Sequence, residues 1–344
     1  MRSELRNRRC AVSRVRGTMA GLLVIAAFVA AVFTSSASAQ IVVGQLASNP
    51  GSEPGCTFGS PYDEYQRTLA GGNSYVVPTA GVLTSWSINE GLGTGALGMK
   101  VFRPIGIGTY LVVGHDGPRP LSPSTLNTFA VNVPVQAGDI LGISVAPGGT
   151  TSCSFATGLI ADSIGYRKGA ALDGQTITEE NSFTEERLNI SATLLPPPTI
   201  TALSPVKGSI KGATVTVTGT NFASVTGVSF GSTPAKSFTV GNEGQITAVA
   251  PASKTLAKVP VTVTTVAGTA TSAQLFAYQG CKVPQLQGKK LKAAKKKLKK
   301  AGCKLGHVKK LGGATAKTGK VTKQGPKPGK VLVPGSKVKV TLDA

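Results

Sequence analysis

The sequence predicts a mainly β, multidomain protein: an N-terminal β-sandwich or jelly-roll-like domain, a second β module, and a small α+β module at the C-terminus. Three observations carry this. The 344 residues include 43 Gly and 21 Pro, well above average usage, and these punctuate the chain into short extended runs. Hydrophobic residues make up 41% and charged residues 15%, so cores can form and most of the chain is no polyelectrolyte. At roughly 150 residues per domain, the length allows two or three domains.

Charge divides the chain further. Residues 1–39 carry net +5, residues 40–195 net −5, residues 196–279 net +4 and residues 280–344 net +18, within a total of +22. The basic character therefore belongs to a leader and a tail. A concentrated basic tail points to one module that meets an anionic partner. With 2 His and 15 acidic residues, the inventory for metal binding and acid–base catalysis is thin. No metal and no cofactor are expected.

Residues 1–39 read as a signal peptide. Six arginines (Arg2, Arg6, Arg8, Arg9, Arg14, Arg16) precede an apolar stretch from Met19 to Phe33, and Ala37-Ser38-Ala39 supplies a small-residue cleavage site. The stretch is shorter than the roughly 20 residues of a spanning helix, and no other long apolar segment follows. The expectation is an exported protein with no membrane span after cleavage; retention as an uncleaved anchor is the alternative. Removing the leader leaves Cys56, Cys153, Cys281 and Cys303. Four cysteines permit three connectivities. The two pairs lie in different compositional blocks, which favours Cys56–Cys153 and Cys281–Cys303. No C-x-x-C spacing supports a metal site.

Within residues 40–195, residues 40–60 are rich in Gly, Ser and Pro and read as an extended lead-in. Apolar runs at Tyr75–Val77, Val82–Ile88, Leu97–Phe102, Thr109–Val113, Thr128–Val135, Ile140–Val145 and Leu188–Leu195 alternate with turn clusters, including His115–Pro120. Short strands at this spacing imply a sandwich or jelly roll. The acidic stretch Leu172–Arg187 reads as an irregular loop, with Glu179, Glu180, Glu185 and Glu186 solvated rather than binding calcium, because the D-x-D-x-D-G spacing is missing. Gly93-Thr94-Gly95-Ala96-Leu97-Gly98 fits G-x-G-x-x-G, but a strand rather than a helix follows it. Gly227-Val228-Ser229-Phe230-Gly231 fits G-x-S-x-G, but Val228 and Phe230 alternate as in a strand. His115 reads as an exposed turn residue. Trp86, Tyr62, Tyr65 and Tyr75 read as core rather than as a sugar-stacking platform.

Pro196-Pro197-Pro198 is a stiff linker. After it, Val215-x-Val217-x-Gly219-x-Asn221-Phe222, Val228-x-Phe230-Gly231 and Val259-x-Val261-x-Val263 alternate with period two. Residues 196–279 resemble the IPT/TIG family of immunoglobulin-like domains, and Gly-x-Asn-Phe is the most distinctive step. The resemblance implies a β-sandwich serving as a spacer or interaction module.

In residues 280–344, Val283-Pro284-x-Leu286-x-Gly288 precedes a helical run from Lys289 to Ala301, with Leu291, Ala294, Leu298 and Ala301 on one face and lysines elsewhere. Gly302 stops it. Gln324-x-Pro326-x-Pro328-Gly329 and Val338-x-Val340-x-Leu342 follow. Residues 281–343 closely resemble the PASTA family, which implies a short helix on a small sheet and contact with the cell wall. Of the S-x-x-K, S-D-N and K-T-G set, only Lys317-Thr318-Gly319 occurs. The tail holds 19 Lys and no Arg, point charges suited to delocalised attraction to phosphate or carboxylate polymers. It holds no aromatic residue, which disfavours nucleic acid.

The functional expectation is a noncatalytic exported envelope protein held noncovalently on peptidoglycan or an anionic wall polymer. Lys289, Lys292, Lys296, Lys299, Lys300, Lys323 and Lys327 are the candidate contacts. A secreted carbohydrate- or wall-active enzyme anchored by the same tail is the alternative. The oligomeric state is not legible.

Overall fold

The computed structural model describes residues 40–49, 56 and 59–344; the expected leader lies outside the described residues. Alternating apolar positions and frequent turn glycines give strands almost throughout, as the composition predicts.

The N-terminal strands are β1 (Ile41–Gln45), β2 (Tyr62–Thr68), β3 (Gly81–Glu90), β4 (Ala96–Gly106), β5 (Thr109–Pro120), β6 (Thr125–Val135) and β7 (Ile140–Val145). They continue with β8 (Ser154–Ala156), β9 (Ser163–Lys168), β10 (Thr176–Thr178), β11 (Asn181–Thr184), β12 (Glu186–Leu188) and β13 (Ile190–Leu195). A four-stranded sheet of order β1-β13-β3-β6 and a seven-stranded sheet of order β10-β5-β4-β7-β2-β9-β11 contribute to one core. From the first sheet come Leu83, Trp86, Ile88, Val133 and Leu194, and from the second Leu97, Met99, Val101, Leu141 and Ile143. Sheet-on-sheet burial of alternate residues is the sandwich solution.

Three readings of the sequence change here. The lead-in contains a paired strand, β1, in register with β13. The His115–Pro120 cluster is the end of β5, which pairs with β4 through bulges. The acidic stretch forms β10, β11 and β12 instead of a loop, because each short run finds the edge of an existing strand. The segment around β10 also covers the outer face of the larger sheet. There Ala171 and Ile177 close over Tyr65, Phe102, Tyr110 and Val112 in a second small core. Strand β2 is thus buried on both faces despite its polar sequence.

Burying charge requires pairing, and the arrangement supplies it. Lys100 Nζ lies 2.6 Å from Asp63 Oδ1 and also donates to the Ala171 carbonyl. Arg187 holds Asp162 through Nε and Nη2, and Arg103 grips Asp139 the same way. Trp86, fully buried, donates its indole N–H to Asp116 at 2.8 Å. Tyr62, Tyr65 and Tyr75 are buried as well, so none of these aromatics offers a face to sugar.

The central strands are β14 (Thr199–Ser204), β15 (Lys207–Ser209), β16 (Thr214–Thr220), β17 (Val225–Phe230), β18 (Thr233–Pro234), β19 (Ser237–Asn242), β20 (Gln245–Val249), β21 (Lys258–Thr265) and β22 (Gly268–Gln279). Sheets β14-β16-β20-β19 and β15-β22-β21-β17-β18 surround Val215, Val217, Phe222, Phe230, Val261 and Phe276. The Gly-x-Asn-Phe step has a local cause. A Cβ on Gly219 would lie 1.9 Å from the Thr199 carbonyl oxygen. Asn221 takes the left-handed conformation at φ +58° and donates to the Pro197 carbonyl, which turns Phe222 into the core.

The last elements are β23 (Cys281–Lys282), α1 (Leu291–Lys300), β24 (Lys304–Lys310), β25 (Lys320–Gly325), β26 (Val331–Leu332) and β27 (Lys337–Asp343). Sheet β24-β27-β25 is mixed: β24 runs parallel to β27 and β25 antiparallel. Helix α1 buries Ala294 and Leu298 in one cluster with Val321, Val338, Val340 and Leu342. It is shorter than the sequence suggests at both ends. Gly302, at φ +69°, ends it, and the Cys303 N–H returns to the Leu298 carbonyl. Both expected disulfides, Cys56–Cys153 and Cys281–Cys303, are formed.

Lysine repulsion runs along helix α1, although Lys297, Lys299 and Lys300 in its last turn suit the negative end of the helix dipole. Lys292–Lys296, Lys295–Lys299 and Lys296–Lys300 are like-charged pairs at i,i+4, each costing about 0.2–0.5 kcal/mol, and its first turn holds no acidic residue. The Cys281–Cys303 bridge, spanning 22 residues, stabilises by about 3 kcal/mol in the chain-entropy treatment. It outweighs the repulsion. Replacing Cys281 and Cys303 together by Ala should lower the stability of the tail by about that amount. Added salt should restore part of the loss by screening the lysines. Thermal melts followed by helical circular dichroism at two ionic strengths check this.

Candidate functional site

The tail presents its lysines on two sides. Because α1 covers one face of sheet β24-β27-β25, alternation sends the other residues of each strand outward. Lys292, Lys296, Lys299 and Lys300 are exposed on the helix, with Lys289 exposed just ahead of it. Lys323 lies on β25, on the outer face of the sheet, and Lys327 lies exposed in the Pro326–Pro328 turn. The seven sequence-predicted lysines therefore do not converge on one site.

Lys323 has neighbours that sequence reading missed. Register places both Lys309 of β24 and Lys323 of β25 opposite Thr341 of β27. Lys339 lies two residues before Thr341 on the same face, opposite Gly325. Together with His307 they line a shallow groove of about 220 Å³. Asp343 is the one carboxylate side chain of residues 280–344, and it does not line the groove. Among the described residues, no lysine of the tail forms an ion pair. The charges stand uncompensated, available to an external anion.

The N-terminal domain has a different chemistry. A cavity of about 170 Å³ is lined by Gly98, Lys100, His115, Ser144 and Leu172 among others. His115 is exposed, as expected, and its Nδ1 lies 2.8 Å from Asp173 Oδ1. No hydrogen bond joins Ser144 to His115 among the described residues. Lys100 is committed to Asp63. Asp116 is held below the usual carboxylate range, mainly by the Arg119 guanidinium, with the Trp86 N–H adding to it.

Glu64 is the buried acid that the sequence did not reveal. It alternates with Tyr62 along β2 and so faces the inter-sheet core. Burial, with a smaller contribution from the Glu186 charge, pushes its carboxyl from near 4.5 up to about 8. Its carboxylate and the sulfurs of Cys56 and Cys153 lie within 4.8 Å of one another. The two sulfurs are joined to each other, so no thiolate is available to ligate a metal. Glu179 and Glu186, expected to be solvated, are half-buried. Glu179 accepts from the Tyr65 hydroxyl at 2.9 Å and pairs with Arg67; Glu186 accepts from Ser154.

Comparison with known proteins assigns two segments. Residues 198–278 match the IPT/TIG domain family and residues 282–344 match the PASTA domain family, as their motifs indicate. No family matches the N-terminal region, and no curated protein matches the chain. Among solved structures the chain is similar to "SGBP-B from a complex xyloglucan utilization locus in Bacteroides uniformis", at 13% identity and a TM-score of 0.23. That likeness spans 59% of this chain and 56% of the other.

Glu64 gives the fold a pH dependence with a definite sign. Between about 4.5 and about 8 the unfolded chain releases a proton that the folded chain keeps. Stability from this group therefore falls as pH rises through that window, by up to about 1.4 kcal/mol per pH unit. Glu64→Gln should flatten the decline and be more stable than the parent at pH 8. Urea midpoints of both proteins at pH 5 and pH 8 measure it.

Proposed function

We propose that the chain is a noncatalytic exported cell-envelope protein. Residues 280–344 hold it noncovalently on peptidoglycan or an anionic wall polymer, and the central module carries the N-terminal sandwich away from that attachment point. The single observation that carries this reading is a PASTA-family module with net charge +18 and no internal ion pair among its described lysines. Such a surface is stabilised when a polyanion approaches, and the attraction is graded by ionic strength.

The disulfides support it: both are formed, which suits an oxidising compartment outside the cytosol.

Residues 40–344 should co-sediment with purified cell wall, and residues 40–279 should not. Binding to wall stripped of anionic polymers that survives high salt would assign the attachment to peptidoglycan. Binding lost on stripping or at high salt would assign it to the anionic polymer. Failure of residues 40–344 to sediment with either preparation would overturn the reading.

A further inference from the structure

We infer that the groove on the outer face of sheet β24-β27-β25 is a phosphate site, and that its ligand is a phosphodiester polymer without bases. This deepens the wall-attachment reading and rests on it for the polymer's location, but the groove's chemistry is argued separately.

The geometry is set by strand register. Lys309, Thr341 and Lys323 stand side by side on three neighbouring strands. Two strand spacings of about 4.8 Å put the flanking lysines roughly 10 Å apart at Cα. Lys339 enters from the same face two residues along the central strand, roughly 7 Å away. Lysine stems are long enough for three ammonium groups to meet over Thr341 from three directions. Thr341 and His307 belong to the same lining. Opposite Lys339 stands Gly325, whose lack of a side chain leaves that end of the groove open.

Charge makes this arrangement more than a solvated face. No two of these lysines stand directly opposite one another in the register, but their ammonium groups repel where the stems converge, and Asp343, on the same face of β27, is not among the residues that line the groove. An anion seated between the lysines relieves that repulsion. Arginine would match carboxylate and phosphate alike, and the segment holds none; point charges converging from three directions suit a tetrahedral phosphate group better than a planar carboxylate. At about 220 Å³ the groove is smaller than the roughly 300–1,000 Å³ of ordinary ligand pockets. It fits one phosphate and its flanking carbons. The absence of Phe, Tyr and Trp from residues 280–344 removes any platform on which bases would stack. The helix lysines lie on the other side of the sheet, in a stripe along α1 rather than around one strand position.

The test titrates residues 40–344 with poly(glycerol phosphate), and with polyglutamate and a single-stranded oligonucleotide of equal charge, at 150 mM salt by calorimetry. Poly(glycerol phosphate) should bind at least tenfold more tightly than either comparator. Replacing Lys309, Lys323 and Lys339 together by Gln should weaken it at least tenfold. Replacing Lys292, Lys296, Lys299 and Lys300 together by Gln, a larger loss of charge, should weaken it less than threefold. Thr341→Glu keeps every lysine and places a carboxylate among them; it should weaken binding tenfold, whereas Lys292→Glu, with twice the change in charge, should not. Melting curves report folding, and the triple Gln variant should melt no lower than the parent at low salt because repulsion is removed. Loss that follows only the number of charges removed would overturn the proposal. So would equal binding of polyglutamate, tighter binding of the oligonucleotide, or parental affinity in both groove variants. If the parent binds soluble poly(glycerol phosphate) but not cell wall, the groove stands and the wall reading fails.

Discussion

Self-repulsion in the C-terminal module is the constraint on which the functional architecture depends. Residues 280–344 carry net +18, and the described lysines find no carboxylate partner within the chain. The small core of Ala294, Leu298, Val321, Val338, Val340 and Leu342 must hold against that charge. A 65-residue module has little apolar surface to bury. The Cys281–Cys303 bridge therefore stabilises the fold where more packing is not available. It also explains how eight lysines can crowd onto and around one short helix without melting it.

The N-terminal sandwich handles charge in the opposite way. Asp63, Asp139 and Asp162 each receive a basic side chain, so they act as internal ties between strands and loops. Removing one partner from such a buried pair leaves the other uncompensated, which costs several kcal/mol. Glu64 departs from this pattern. Lacking a cation, it is held in its neutral form by burial. The domain thus pairs these buried aspartates internally, while the tail leaves its lysines outside and unpaired.

Between them, the central sandwich joins onto the tail through apolar contact. Val331 and Val333, from the β26 region, pack against the core that holds Ile210 and Tyr278, and Gly280 at the junction is closely approached by Ile210, Leu256 and Leu332. A side chain at Gly280 would meet the Leu332 carbonyl oxygen at 2.7 Å. The tail is therefore docked on its neighbour at that junction.

Local pattern made much of this legible in the sequence. Period-two alternation marked β3, β16 and β21; the three-and-four spacing of Ala294 and Leu298 marked α1; Gly-x-Asn-Phe and Gly302 marked turns whose backbone only those residues adopt readily. Composition alone localised the charge. Strand β2 escaped because Tyr-Asp-Glu-Tyr-Gln-Arg-Thr reads as polar surface, and only the covering segment with Ala171 and Ile177 buries its second face. The groove escaped for a related reason. Lys309, Lys323 and Lys339 are separated along the chain, and nothing local says that β27 lies between β24 and β25 or sets their register. The sequence by itself determined which residues are extended, which turn and where the charge resides, because those depend on near neighbours. The tertiary structure alone decided which charges are paired and which converge, because strand order and register are fixed by contacts between residues far apart in the chain.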